Sequence, residues 1–242
     1  GDPARASELR ELCDSRGLVL IEDAAQALGA ALGDQRVGSI GHLGCFSFFP
    51  SKPLGGLGDG GMVTTSVPHL AERCRLLRAH GAPRPHQHLL LGGNYRLDAL
   101  QAALLSVKLE RLDAWRASRQ EHARAYDERF CSHPQLSRPA CDPTSTSALA
   151  HYTLRLTGEA TLRRHEVVNA LLSAEMSSAI YYAQPAYTHA VPELKATLVG
   201  NEADKNPHTE QRCREALTLP LFAELTFAER DAVASALLES LK

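Results

Sequence analysis

Lys52 occupies an unusual place for a strongly hydrated ammonium group. An apolar approach, FSFFPSK, leads into it and a glycine-rich exit, GGLGDGG, leads away. It is the only Lys between Gly1 and Val107. A Lys so placed is either a surface charge or a nucleophile whose amine condenses with a carbonyl carbon. Three further groups in the stretch Ile21 to Gly61 suit such a reaction. Asp23 ends an apolar run and offers a carboxylate to a cationic partner. Gln26 follows it by three residues, so both can line one side of a ligand. Ser47 lies five residues before Lys52 and offers a hydroxyl to an anion.

These are the demands of pyridoxal phosphate. That group needs a Lys for its aldehyde, a carboxylate against its ring nitrogen, donors for its phosphate and a polar neighbour for its ring hydroxyl. The residue types meet the demands without being specific to them. Asp23 also reads as a helix N-cap after a strand, Gln26 as a loop bridge and Ser47 as a strand hydroxyl bonded to backbone. The glycines from Gly55 to Gly61 lack the GxxxxGK[ST] pattern of a phosphate loop, and close packing around Lys52 accounts for them better.

The elements that must position these groups follow from periodicity. Pro3 to Arg16 reads as an amphipathic helix closed by Gly17. Leu18 to Ile21 is a short continuous apolar run, the pattern of a strand buried on both faces of a parallel sheet. It delivers Glu22 and Asp23 at its carboxyl end, where open α/β sheets bind ligands. Cys45 to Phe49 is a second strand and Met62 to Thr65 a third. Pro68 to His80 is a helix with Arg73, Arg75 and Arg78 on its later turns, and 81–94 is a long loop rich in Gly, Pro and His. Leu97 to Phe130 carries one long helical pattern, with Leu97, Leu100, Leu104, Val107, Leu112 and Trp115 near one face. The loop-like stretch 132–150 marks a domain boundary, giving domains of 1–131 and 132–242. Beyond it, His151 to Thr157 alternates as a strand, and Thr161 to Met176 is a helix capped by Thr161. Ser178 to Tyr182 is a strand and 184–207 an irregular excursion. Pro207 to Leu217 and Phe227 to Leu241 are helices, the second capped by Thr226.

Composition bounds the rest. Of 242 residues, 44% are hydrophobic and 22% charged, as in an ordinary globular enzyme. Lys plus Arg number 26 against 28 Asp plus Glu, with no basic stripe, which argues against nucleic acid as a partner. No apolar run reaches the roughly 20 residues that cross a bilayer, and no apolar leader opens the sequence. The six cysteines form no CxxC pair and no zinc spacing with His, which favours reduced thiols in the cytoplasm and no metal. His80, His86 and His88 read as a solvated loop rather than a metal site.

The segments EDAAQALGA, GSIGHLGCFSFFPSKPLGGLGDGGMVTT and GGNYRLDALQAALLSVKLERLDAW closely resemble the DegT/DnrJ group of sugar aminotransferases. YYAQPAY and REALTLPLFAELT resemble that family's later landmarks, so the likeness covers nearly the whole chain. The resemblance implies a partial fold-type I large domain, a mostly parallel sheet with flanking helices, followed by a smaller C-terminal α/β domain. It implies pyridoxal phosphate anchored on Lys52, which then serves as general acid and base. Asp23 pairs with the ring nitrogen, Gln26 lies near the ring hydroxyl and Ser47 contacts the phosphate. Asn94, otherwise a turn residue between glycine and tyrosine, reaches the phosphate of a neighbouring subunit's cofactor, which implies a homodimer with shared sites. The implied reaction transfers an amino group, from glutamate by the family's pattern, to a nucleotide-linked keto-sugar. Family members with His in place of the Lys dehydrate instead; this chain keeps Lys. It departs from the family at Tyr182-Ala183-Gln184, where HxQPAY is usual, and at His42, where an acid is common. The family's first ~140 residues, on domain-size grounds, have no counterpart in the sequence. They carry the aromatic that stacks on the ring and most phosphate donors. The alternative is therefore an accessory, non-catalytic subunit that pairs with a longer partner, and a third reading is a cofactor-bound sensor without turnover.

Overall fold

Helix α1 (Ala6–Ser15) stops where Gly17 takes φ +65°. The amide of Gly17 then reaches Asp14 O at 3.3 Å and that of Leu18 reaches Cys13 O at 2.8 Å, a Schellman closure that satisfies the last carbonyls. The chain is seen here in a computed structural model, which describes residues 1–139, 142, 144–189 and 206–242. It divides into two units, Gly1–Ala117 with Cys141–Ala150, and Ser118–Ala140 with His151–Lys242.

In the first unit, strand β1 (Ile21–Asp23) is followed by a short hairpin, β2 (Ala31–Leu32) and β3 (Gln35–Arg36), and then by β4 (Leu43–Ser47) and β5 (Gly61–Thr64). β4 lies between β1 and β5, parallel to the first and antiparallel to the second. The described sheet is thus mixed rather than mostly parallel. Leu18, Val19 and Ile21 are 54%, 61% and 56% exposed, contrary to the expectation of a strand buried on both faces. Among the described residues β1 is hydrogen-bonded on one side only.

Helix α2 (Pro68–Arg78) is followed by the expected loop, bridged at Ala79 and Asn94. The long helical pattern resolves into α3 (Ala99–Leu109) and α4 (Leu112–Phe130), with a tight Arg111 N to Lys108 O bond of 3.0 Å at the break. Its apolar face is also rotated from expectation. Leu105 and Leu112 are buried against Phe48 and Leu54, with Leu97 and Trp115 packed on them, whereas Leu100 and Val107 are exposed.

The division between units falls within α4 rather than at 131/132. A further strand, β7 (Ser145–Thr146), explains the difference, because it pairs antiparallel with β2 while Ala148 N donates to Gly1 O at 3.0 Å. These bonds tie the supposed linker to the first unit.

The second unit is built on β6 (Leu136–Ser137), β8 (Tyr152–Leu156) and β9 (Ala216–Leu219), antiparallel in the order β6-β8-β9. The side chains of β8 alternate between faces, and Tyr152, Leu154 and Leu156 are buried. The ring of Tyr152 meets Tyr126 at 5.0 Å between centroids, and its hydroxyl donates to Asp127 Oδ1 at 2.8 Å. The expected helix from Thr161 is instead α5 (Glu159–Leu162) and α6 (Arg164–Ser173). Thr161 does not cap it; its hydroxyl donates to Leu156 O at 2.7 Å. Helix α7 (Pro207–Glu215) ends before Ala216, and Ala216–Leu219, expected to begin as helix, is strand β9. The strand expected at 178–182 is a single bridge between Ala179 and Thr218. The excursion expected over 184–207 lies outside the described residues between 190 and 205. No helix among the described residues is long and apolar enough to cross a membrane.

Helix α8 (Phe227–Ser240) starts as its sequence requires, with a capping box. Thr226 Oγ1 accepts from Glu229 N at 3.2 Å, and Glu229 Oε2 accepts from Thr226 N at 2.8 Å. The Thr226 bonds hold the Glu229 carboxyl below its ordinary range. Such a depressed group stabilises the fold above its unfolded pKa, and the benefit disappears as pH falls through its folded value. Thr226→Ala is expected to cost about 1 kcal/mol at neutral pH through loss of the cap. Urea denaturation should show that deficit shrinking as the solution is acidified below the carboxylate range.

Candidate active site

Parallel pairing puts the carboxyl ends of β1 and β4 side by side, with Asp23 opposite Cys45 and Ser47 two residues further on. Ala24 N donates to Cys45 O at 2.8 Å and continues the ladder past the end of β1. Asp23 is exposed there, and its Oδ1 accepts from Ala25 N at 3.1 Å, an Asx turn that starts the next segment. Its negative charge is felt across the pair. Burial first, then Asp23, then Cys74, push the Cys45 thiol above its ordinary value.

Gln26 lies in the turns that follow, where Ala27 N donates to Ala24 O and Ala30 N to Ala27 O, each at 2.9 Å. Buried Ala27 and Ala30 pack on Ala148 and leave Gln26 half-buried on the same segment as Asp23.

After Ser47 the chain makes a closed loop. Phe48 N donates to Gly60 O at 2.8 Å, and Phe48 O accepts from Gly56 N at 2.8 Å. Ser47 Oγ accepts from Phe49 N at 3.3 Å, and Lys52 N donates to Phe49 O at 2.9 Å. Phe48 and Leu54 are buried and anchor the loop in the core. Lys52 itself is half-buried, and among the described residues its ammonium has no hydrogen bond or ion pair. The rim of the loop tolerates no side chain at Gly55, where a Cβ would stand 2.1 Å from Pro50 O.

Asn94 is carried by a different segment. It is exposed beside the Ala79 bridge, and its Oδ1 accepts from Arg96 Nε at 2.8 Å. Since Arg is only a donor, the bonded atom must be the amide oxygen, which leaves the amide NH2 as the group for other partners. Four of the five expected residues thus sit at the carboxyl ends of β1 and β4, and the fifth does not join them by sequence or strand pairing.

Sequence reasoning missed Glu22. Its carboxylate accepts from Gly38 N at 2.9 Å, Ile40 N at 2.8 Å and Gly41 N at 2.6 Å, fixing the turn that brings the chain into β4. An acid beside Asp23, followed by a GxxG turn, was the available signal. His42 completes that frame: its Nδ1 accepts from Leu20 N at 2.9 Å and its Nε2 lies 3.4 Å from Asp14 Oδ1. His88 Nδ1 lies 2.9 Å from His80 O, and no group of three or more His, Cys, Asp or Glu among the described residues could hold a metal. In the second unit, His151, Tyr181 and Tyr182 form a run of ring contacts at 4.6 and 5.6 Å, and Tyr187 donates to Glu210 Oε1 at 3.4 Å.

The model of the DegT/DnrJ/EryC1/StrS aminotransferase family matches residues 1–238. The erythromycin biosynthesis sensory transduction protein EryC1 of Saccharopolyspora erythraea is 39% identical over 98% of this chain and 62% of its own length. The dTDP-3-amino-3,4,6-trideoxy-alpha-D-glucose transaminase of Streptomyces venezuelae is 36% identical over 91% of this chain and 56% of its own. The crystal structure of S. venezuelae DesV superposes with a TM-score of 0.88 at 34% identity, covering 98% of this chain and 62% of that one. The α/β, fold-type I class expected from the sequence is thereby borne out. The chain spans about 60% of the length of the relatives it matches.

Gly55→Ala tests whether the loop geometry is enforced. The clash with Pro50 O should lower the thermal midpoint by several degrees, the effect of roughly 1–3 kcal/mol of overpacking. Gly33→Ala, with open space around its Cβ, reports only the strain of its own φ of +55°.

Proposed function

This chain belongs to the DegT/DnrJ/EryC1/StrS aminotransferase family, and from that premise we propose that the protein it forms is a pyridoxal-phosphate-dependent aminotransferase. It moves an amino group, from glutamate by the family's pattern, to a nucleotide-linked keto-sugar in amino-sugar biosynthesis. The observation that carries this reading is Lys52: a half-buried amine with no side-chain partner among the described residues, on a closed loop, beside the strand that ends in Asp23.

The donor set fits the cofactor. When bound, pyridoxal phosphate supplies an aldehyde for covalent attachment and a ring that withdraws electrons from the substrate carbon. Asp23 holds the proton on the ring nitrogen through its carboxylate, and its exposure at the end of β1 leaves it reachable. Gln26 offers its amide to the ring hydroxyl, and Ser47 its hydroxyl to the phosphate. Lys52 Nζ would serve as the general acid and base, taking a proton from the carbon on one side of the transferred nitrogen and delivering one to the carbon on its other side.

Arg96 occupies the Asn94 amide oxygen and leaves the NH2 of this exposed residue as its donor, which suits donation to the phosphate of a neighbouring subunit's cofactor. Leu89, Leu91, Tyr95 and Leu100 all stand largely exposed on the segments around it, as expected where a second copy covers an apolar surface. The homodimer, its shared sites and a cytoplasmic location, together with the role of the first unit as part of the cofactor-binding domain, belong to the same reading. The similarity to a protein described as sensory favours one second reading, a family member that holds the cofactor without turnover.

Borohydride reduction of the cofactor-loaded protein followed by peptide mapping should place the label on Lys52. A label on another Lys, or none on a yellow protein, refutes the anchor assignment. Asn94→Ala should weaken pyridoxal phosphate binding about tenfold, the loss of one hydrogen bond to a charged group, measured by equilibrium dialysis. Steady-state formation of 2-oxoglutarate from glutamate with a keto-sugar nucleotide excludes the sensory reading, and its absence from a fully loaded protein favours it.

A further inference from the structure

The loop that carries Lys52 is held from outside as well as by its own backbone, and one helix supplies both outside contacts. Gln101 Oε1 accepts from Leu57 N at 3.0 Å, and Lys108 Nζ donates to Gly55 O. The two residues are seven apart on α3, two helical turns, and so share one face. Leu105, 5% exposed, lies between them and packs in the cluster of Phe48 and Leu54. The helix therefore meets the loop with an amide, a leucine and an ammonium in a row.

The contact is close-fitting. A Cβ on Gly56 would stand 3.0 Å from Gln101 Oε1, and one on Gly58 would stand 3.1 Å from Gln101 Nε2. Lys108 also lies 5.9 Å from the centroid of the Trp115 ring, within cation–π range. Among the described residues no carboxylate pairs with Lys108, so its charge is directed at a backbone carbonyl. Such charge-assisted bonds are about twice as strong as neutral ones. The backbone they grip needs holding. Glycines leave it conformationally free, and the Leu57 side chain is 81% exposed and contributes little anchorage.

We propose that Gln101 and Lys108 are positioning residues for Lys52: by fixing the Gly55–Leu57 backbone they set where the Lys52 amine stands. The inference rests on the reading of Lys52 as the covalent anchor. Neither side chain needs to touch the cofactor; each acts through the loop. A displacement of about 1 Å at a reacting group can cost on the order of a hundredfold in rate.

The test uses the complete polypeptide loaded with pyridoxal phosphate. Gln101→Met removes the acceptor for Leu57 N at similar size, and Gln101→Glu keeps it. Lys108→Met removes the charge, and Lys108→Arg keeps it. Three quantities are read: hydrogen exchange at Leu57, the pH midpoint of the visible band of the Lys52–cofactor linkage, and kcat and KM separately. The two Met variants should exchange Leu57 at least about tenfold faster, move the pH midpoint, and lose about tenfold or more in kcat with KM little changed. Gln101→Glu and Lys108→Arg should restore most of each. Met variants that keep the wild-type midpoint overturn the inference, whether they stay active or lose activity through a lowered melting temperature. Wild-type protein that takes no borohydride label on Lys52 refutes the anchor reading and the inference with it, and is distinguished because that control involves neither Gln101 nor Lys108.

Discussion

The parallel pairing of β1 with β4 is the constraint on which the arrangement depends. Two parallel strands end on the same side of a sheet, so whatever the chain places after them is brought together without a dedicated loop. Here one strand ends in an acid and the other runs into the turn that holds Lys52. The pairing also sets Asp23 opposite Cys45, whose thiol is pushed up by burial first and by the Asp23 charge second. Antiparallel pairing of the same two strands would have sent Lys52 to the far end of the sheet.

Around that pairing, adjacent residues of β1 do opposite jobs because a strand alternates faces. Glu22 uses its carboxylate on three backbone amides of the turn that enters β4. Asp23 accepts one local amide and remains exposed. The first acid is consumed by the scaffold, and the second keeps most of its carboxylate exposed at the strand end. The division explains why an acidic pair at a strand end should not be read as two equivalent catalytic carboxylates.

The sequence was legible where a single local signal dominated. β8 followed from strict alternation, α8 from the Thr226 cap, and the end of α1 from Gly17. It misled where helix-forming composition competed with tertiary pairing. The helix expected over Pro207 to Leu217 stops at Glu215, because the strand ladder with β8 captures Ala216 onward. Thr161 resembles an N-cap, but its hydroxyl turns to Leu156 O instead. The apolar face of the long helical pattern was misplaced because contact with Phe48 and Leu54, which no periodicity encodes, chose Leu105 and not Leu100 or Val107. Of the candidate site, Asp23, Gln26, Ser47 and Lys52 are proposed from residue type and spacing. Glu22, Gln101 and Lys108 could not be, since their partners are backbone atoms 16 to 53 residues away.

The short strand β7 has an architectural consequence. By pairing with β2 it returns the chain to the first unit after α4 has already left it, and the polypeptide then departs a second time. The second unit is consequently not a contiguous cassette. A cut on either side of β7 leaves a covalent path to one side and a displaced strand on the other, so the unit offers evolution no clean point of excision. Recombination between relatives would preserve both folds only by exchanging the pieces together, which favours inheritance of this chain as one block rather than as two interchangeable modules.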